Sequence, residues 1–520
     1  MKKFWKVFGV VCLLALGGAS RVNAQAPQGA PPAGGAPPAA ANADATKEES
    51  SVTDHTIKVG GQTIAYKATI GSIQLKNDAG DPTALIFYTA YTKNDVKDVT
   101  QRPVSFIYNG GPGSASIWLH MGAFGPKRVV TKNGEYTPPA PYQMSDNANT
   151  LLDVTDMVFI DPVGTGFSHA VGKSQNKDFW GVDPDIQSLG QFITTYVTRN
   201  DRWNSPKFLI GESYGTFRSA ALANHLQNSE TMSLNGIVLI SSVLDVGTLS
   251  FLPGDDLSYI LYLPSYAATA WYHKMLKDRP ADLNAFLDEA RAFAGGEYTT
   301  ALMKGSRLTP TERTDIAKKL SHFTGLSEDY LLKADLRVVL PQFTAELQRS
   351  RGLTTGRLDS RFSGTNPDPL SEFGFSDPQS DAISPAFVAA FNSYVHNELK
   401  FGEGKRYEPL SPLANRAWTW THQGTGGFGF PGPANTEQDL EQVLVQNPHL
   451  QVEVENGLFD LATPFFESEY TMAHLGLPEN LIKNIHQKYY QAGHMMYVRD
   501  EDLAKLKANI AAFIDKASKP

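Results

Sequence analysis

The stretch Phe208-Leu209-Ile210-Gly211-Glu212-Ser213-Tyr214-Gly215 runs from an apolar strand into a helical segment that carries Ala220, Leu222 and Leu226. Three apolar residues without alternation read as a strand buried on both faces. Between strand and helix, two glycines flank a serine. Gly-x-Ser-x-Gly recurs by chance, but at a strand-to-helix turn it lifts the Ser213 hydroxyl to the tip of a tight elbow. The glycines remove side chains where the backbone doubles back.

Outward from this elbow the same kind of run recurs at Val104 to Tyr108, Met157 to Ile160 and Ile237 to Ile240. Such strands, covered by helices, make a mostly parallel sheet. Upstream, His55 to Val59, Gln62 to Lys67, Ile70 to Gln74 and Leu85 to Thr92 alternate and are punctuated by Gly60-Gly61 and Gly80-Asp81, which predicts antiparallel edge strands. After Asp245 the strand rhythm stops for roughly two hundred residues, too long for a crossover. Thr309-Pro310-Thr311-Glu312 is a capping box there, and a second helix is expected after Ser384-Pro385. The rhythm resumes at Leu450 to Val454 and around Lys488 to Tyr490. The expected class is α/β, an α/β-hydrolase fold with a mostly parallel central sheet, antiparallel N-terminal edge strands and a large, mainly helical cap insertion. Residues 52–245 and 445–520 would form the catalytic domain and 246–444 the cap.

A serine hydroxyl needs a histidine base oriented by a carboxylate, and in this fold they follow in the order serine, acid, histidine. His494 sits on a loop after the last strand, whereas His486 and His449 precede strands. Asp460 follows the preceding strand, and Glu453 and Glu455 are expected to face solvent or cap that strand. Acyl transfer also requires backbone N–H groups for the oxyanion. Tyr214 supplies one, and the loop Tyr108-Asn109-Gly110-Gly111-Pro112-Gly113-Ser114 offers the other. Pro112 and the missing lysine disfavour a phosphate cradle there.

The ends and the composition bound the context. Lys2, Lys3 and Lys6, the apolar run Val7 to Leu16 and Val22-Asn23-Ala24 read as a secretory signal peptide, residues 1–24, with cleavage after Ala24. The apolar run is shorter than the ~20 residues of a spanning helix, so no integral membrane segment is expected after signal removal. Residues 25–51, rich in Ala, Pro and Gly, read as a disordered tether. The single cysteine, Cys12, leaves with the signal, so no disulfide is expected. Loss of Lys2, Lys3, Lys6 and Arg21 takes the net charge from -8 to -12, which argues against nucleic acid. The acids between Gly364 and Asp381 lack any recognised calcium spacing, and neither a metal nor a cofactor is expected. Trp418-Thr419-Trp420 is read as core packing. A secreted or periplasmic location follows from the signal; oligomeric state does not follow from the sequence.

Together, Asn109-Gly110-Gly111-Pro112-Gly113, Asp161-Pro162-Val163-Gly164-Thr165-Gly166-Phe167-Ser168, Gly211-Glu212-Ser213-Tyr214-Gly215 and Gly493-His494-Met495 resemble the signature segments of the serine carboxypeptidase family, in its order. The resemblance extends from about Val104 to Tyr497. It implies an exopeptidase acting on peptides with a free C-terminus through an acyl-enzyme, with Ser213, Asp460 and His494 as triad and Gly111 and Tyr214 at the oxyanion. It also implies that Asn109 and Glu212 recognise the terminal carboxylate, Glu212 being protonated to donate, which links activity to acidic pH. Ile107 stands where the family usually has tryptophan, and Ala123 where it has a second glutamate. Thr216-Phe217-Arg218 departs from the usual small and aromatic residues, and Arg218 is read as an ion-pair or packing residue. Two other readings remain: an esterase or acyltransferase using the same triad on small acyl esters, and a binding protein on an inactive hydrolase scaffold.

Overall fold

The computed structural model describes residues 46–422 and 432–519. The signal peptide and most of the tether lie outside the described residues. A ten-stranded sheet organises the molecule. Its nine main strands are β1 (Ser50–Val59), β2 (Gln62–Lys76), β3 (Pro82–Lys93), β4 (Val104–Tyr108), β5 (Asp156–Ile160), β6 (Lys207–Glu212), β7 (Gly236–Ile240), β8 (Gln451–Gly457) and β9 (Ile485–Tyr490). They lie in the order β1-β2-β3-β5-β4-β6-β7-β8-β9, and the short strand His169–Ala170 pairs off β3. Strands β1, β2, β3 and β5 pair antiparallel; from β5 through β9 all pairings are parallel. Every residue of β4, β5, β6 and β7 is buried, which is why their sequences do not alternate. Their register matters more for the site. Tyr108 pairs with Gly211, Glu212 with Ile240 and Gly457 with Tyr490, so five parallel strands end together along one edge. Loops leaving the carboxyl ends of such strands share one crevice.

Helices cover both faces. On one side α1 (Val182–Arg199) and α2 (Tyr214–Asn228) join β4, β6 and β7 in one apolar cluster. After Asp245 the chain forms α3 (Leu257–Tyr272), α4 (Leu283–Phe293) and α5 (Pro310–Thr324), whose apolar faces make a separate cap cluster. Thr309 and Glu312 form the expected capping box on α5. Past two short helices, Glu328–Lys333 and Leu340–Glu346, α6 (Pro378–Asn397) is capped by Asp377, whose side chain accepts from Ser380 N, so Ser384-Pro385 lies inside it rather than at its start. Burial of Ala382 and Ile383 extends the helix backwards past the local signal. On the opposite sheet face α6 and α8 (Asp500–Ala517) share one apolar cluster.

Residues 246–444 therefore do not form one body. Beyond α6 the chain runs back over the catalytic domain through bridges Gly166 to Glu408, Ser114 to Leu410 and Gly181 to Thr419. Helix α7 (Glu437–Gln446) then packs on α2. The fold also reaches further upstream than the expected tether boundary at Ser51. Gln74 Nε2 donates to the Thr46 carbonyl at 2.6 Å, Arg199 pairs with Glu48 at 2.7 Å, and β1 starts at Ser50. Glu453 and Glu455 are buried rather than exposed, because β8 is flanked by β7 and β9 and covered on both faces. His486 lies within β9, not before it.

Candidate active site

Ser213 sits between β6 and α2 with φ 60° and ψ −130°. A non-glycine residue in this region carries roughly 1–3 kcal/mol of strain, held only where surrounding bonds fix it. Here Ser213 N donates to the Ile240 carbonyl at 3.0 Å. The Thr216 hydroxyl donates to the Ser213 carbonyl at 2.7 Å and accepts from Val243 N at 2.9 Å. Gly211 is required by contact: a Cβ there would lie 2.2 Å from the Gly215 carbonyl oxygen.

Asp460 and His494 meet across the ends of β8 and β9. His494 Nδ1 donates to Asp460 Oδ2 at 2.7 Å, and the Thr463 hydroxyl donates to the same oxygen at 2.8 Å. Asp460 Oδ1 accepts from Ala462 N at 2.7 Å and Thr463 N at 3.0 Å. Four donors thus hold the carboxylate and fix the proton of His494 on Nδ1, leaving Nε2 as the basic nitrogen. Burial opposes a charged imidazole, but the Asp460 carboxylate outweighs it, with Glu212 adding to the effect, so the His494 pKa lies above its ordinary value.

The cap holds this pair by backbone. Leu461 N donates to the Arg357 carbonyl at 3.1 Å, Ser360 N to the Phe459 carbonyl at 2.9 Å, and His494 N to the Leu358 carbonyl at 2.7 Å. From the other side Ser241 Oγ donates to the His494 carbonyl at 2.8 Å. Leu461 and Phe465, fully buried in the cap cluster, each stabilise the acid loop by about 1.5–3 kcal/mol.

The glycine loop after β4 lies against the elbow so closely that a Cβ on Gly110 would stand 2.4 Å from Tyr214 N. Gly111, at φ 103°, is exposed beside it. Asn109 Nδ2 donates to Glu212 Oε1 at 2.8 Å, and Asn109 Oδ1 accepts from Leu119 N at 3.0 Å. Burial pushes the Glu212 carboxyl up to about 7, against the lowering pull of His494, Tyr497 and Asn109. Beneath the loop Arg218, fully buried, donates through Nε to Asp185 Oδ2 at 2.7 Å and through Nη1 to the Asn109 carbonyl at 2.8 Å. Its guanidinium lies 5.1 Å from the ring centroids of both Tyr108 and Tyr214. Arg218 is an ion-pair residue that braces the loop. Trp418 is buried, as core packing requires, but Trp420 is exposed, and both rings meet Tyr214 edge-on.

All seven residues singled out in the sequence, Asn109, Gly111, Glu212, Ser213, Tyr214, Asp460 and His494, lie at the same sheet edge, Glu212 ending β6, Tyr214 opening α2 and the others between elements. Sequence reasoning missed the cap segment Arg357–Ser360, which acts mostly through main-chain groups, the Ser360 hydroxyl alone adding a side-chain bond to the Phe459 carbonyl at 2.9 Å. It also missed Tyr497, whose ring is turned back toward Glu212 by the helical turn Met496–Val498. Among the described residues no group of three or more His, Cys, Asp or Glu is placed to hold a metal, and no helix is long and apolar enough to cross a membrane.

Residues 62–289 match the family model described as "Serine carboxypeptidase". Over this stretch, less than half of its length, the chain is similar to serine carboxypeptidases. Among curated proteins it is 29% identical over 184 residues to the pheromone-processing carboxypeptidase KEX1 of Saccharomyces cerevisiae, covering 32% of this chain and 24% of that one. It is 26% identical over 180 residues to serine carboxypeptidase-like 36 of Arabidopsis thaliana, covering 34% of each. The matched region thus spans between a quarter and about a third of these relatives' length. The crystal structure of the Saccharomyces cerevisiae prohormone-processing carboxypeptidase KEX1(delta)p shares the fold, with a TM-score of 0.55 at 17% identity over 87% of this chain and 91% of that one.

Proposed function

We propose that this protein is a secreted or periplasmic serine carboxypeptidase that removes single residues from the C-termini of peptides. Ser213 Oγ attacks the last peptide carbonyl while His494 Nε2 takes its proton. The Gly111 and Tyr214 N–H groups receive the oxyanion. The imidazolium, stabilised by Asp460, then protonates the departing amine, and water repeats the sequence in reverse to release the shortened peptide. The observation that carries the reading is the Asn109–Glu212 hydrogen bond, a buried carboxyl paired with an amide immediately beside the serine. A carboxyl with a pKa near 7 remains protonated in mildly acidic solution and can donate to a terminal carboxylate.

The test is hydrolysis of blocked dipeptides and their matched C-terminal amides between about pH 4 and 8. Strong preference for the free acids supports the reading; equal cleavage of acids and amides defeats it. Labelling of Ser213 by a fluorophosphonate, lost in Ser213→Ala, separates an active hydrolase from an inactive scaffold. One observation favours the esterase or acyltransferase alternative: Ile107 and Ala123, both fully buried, offer no polar group toward a substrate carboxylate. Rapid turnover of acyl esters with no peptide product at any pH would favour it.

A further inference from the structure

Near the Asp460–His494 pair, two buried polar atoms, Glu212 Oε2 and the Tyr497 hydroxyl, have no hydrogen-bond partner among the described residues. The other Glu212 oxygen is taken by Asn109 Nδ2, and Asn109 Oδ1 is taken by Leu119 N. The Tyr497 hydroxyl lies within interaction range of Glu212 and Asn109, aligned with neither. The ring itself is held firmly. A Cβ on Gly122 would lie 2.6 Å from Tyr497 Cε2, so the ring occupies the space beside the helical turn Leu119–Phe124. The Tyr497 carbonyl accepts from Arg128 Nη2 at 3.4 Å. Ala123 in the same turn is fully buried and contributes no competing polar group.

A phenol fixed beside a carboxyl oxygen, both unpaired and both buried, is one small rotation from a hydrogen bond, and buried polar groups are rarely left unmade. A protonated carboxyl oxygen can accept from one hydroxyl while its own proton points elsewhere. We propose that Tyr497 is the positioning residue for Glu212: its hydroxyl donates to Glu212 Oε2 and turns the carboxyl proton outward, toward the free carboxylate of a peptide's last residue. This role rests on the carboxypeptidase reading. The groups that face Glu212 are His494 and Asp460 from the loops after β9 and β8, Asn109 from the loop after β4, and Tyr497 itself. Of these, the Tyr497 hydroxyl favours the charged form of Glu212, so its removal raises the Glu212 pKa while releasing the carboxyl from its orientation.

The experiment is steady-state kinetics of Tyr497→Phe on blocked dipeptide free acids and on matched esters across pH. The expected result is a rise in KM for free acids of roughly tenfold, little change in kcat or in ester turnover, and displacement of the alkaline limb of the free-acid profile to higher pH. A residue that merely supports the fold would lower turnover of acids and esters alike and leave that limb in place. Stoichiometric fluorophosphonate labelling checks that the variant is folded, and Tyr497→Met replaces it if it is not. If the wild type prefers acids to amides but Tyr497→Phe keeps the wild-type KM and pH limb, the Tyr497 role is overturned while the carboxypeptidase reading stands. If the wild type does not distinguish acids from amides, both fall together.

Discussion

Replacing Glu212 with glutamine isolates the titration on which free-acid recognition depends. The glutamine carbonyl can still accept from Asn109 Nδ2, as Glu212 Oε1 does at 2.8 Å, and its amide donates at every pH. In the wild type the carboxyl pKa is pushed up to about 7 by burial, so at about pH 8 only about a tenth of the molecules keep the proton, and kcat/KM on free acids should fall roughly tenfold for each further pH unit. Glu212→Gln should lose this alkaline limb and overtake the wild type above about pH 8, while lagging below about pH 6 because an amide donates more weakly than a carboxylic acid. The acid limb should also move down, since the Glu212 charge raises the His494 pKa. Neutral His494 with protonated Glu212 carries the same number of protons as the reverse pair, so the wild-type limbs are properties of the coupled pair. The variant should show a single limb from His494. The assay is kcat/KM for a blocked dipeptide and its ester between about pH 4 and 9. An unchanged alkaline limb on the free acid in Glu212→Gln would refute the assignment of that limb, and of carboxylate recognition, to Glu212.

Three other outcomes are expected. Asp460→Asn puts an amide donor against His494 Nδ1 or the Thr463 hydroxyl, forces the wrong imidazole tautomer, and should lower kcat about 10⁴-fold with the melting temperature near that of the wild type. Arg218→Met strands the Asp185 carboxylate, which is 2% exposed and paired at 2.7 Å, and should cost about 3–5 kcal/mol in urea unfolding; most of that should return in Arg218→Met with Asp185→Leu, and no recovery would mean that the Asn109 carbonyl bond carries the stability. Burial pushes Glu467, which accepts from Thr248 and Thr471, up to about 8 from 4.5. A raised folded pKa contributes stability that is full below about 4.5 and fades as pH rises toward about 8, so Glu467→Gln should flatten the fall in melting temperature across that window; an equal slope in both proteins would count against it.

Legibility followed the physics of each feature. The runs at β4 to β7 could be read because strands buried on both faces lose alternation, and the placement of Ser213, Asp460 and His494 just past strand ends could be read because those ends are marked in sequence and aligned by register at Tyr108, Glu212 and Gly457. Glu453 and Glu455 misled, since a glutamate reads as surface until its partner is known. The Tyr490 hydroxyl, contributed by the next strand in the sheet, donates to Glu455 at 2.7 Å, and Asn509 Nδ2 donates to that hydroxyl from α8. The start of α6 was set by tertiary burial of Ala382 and Ile383 against the sheet cluster, which overrode a strong local Ser-Pro signal.

The contacts between cap and acid–base pair were illegible for a different reason, and it changes how the cap is understood. Arg357 and Leu358 touch the acid and base loops through carbonyl groups that every residue possesses, and only Ser360 adds a side-chain bond, from its hydroxyl to the Phe459 carbonyl at 2.9 Å, so little in the side chains advertises the segment. Asp359 lies so close to Gly493 that a Cβ there would stand 2.5 Å from it. The same segment thus fixes the backbone on both sides of the Asp460–His494 hydrogen bond. Leu458, Phe459, Leu461 and Phe465 are themselves part of the cap's apolar cluster. A change that loosens the packing of α3, α4 and α5 is therefore transmitted to the acid loop directly, and to His494 through a single main-chain bond at Leu358. The Asp460–His494 pair is thus bonded to the cap on one side, and on the other Ser241 Oγ, donating to the His494 carbonyl, ties it to the strand whose Ile240 carbonyl holds Ser213.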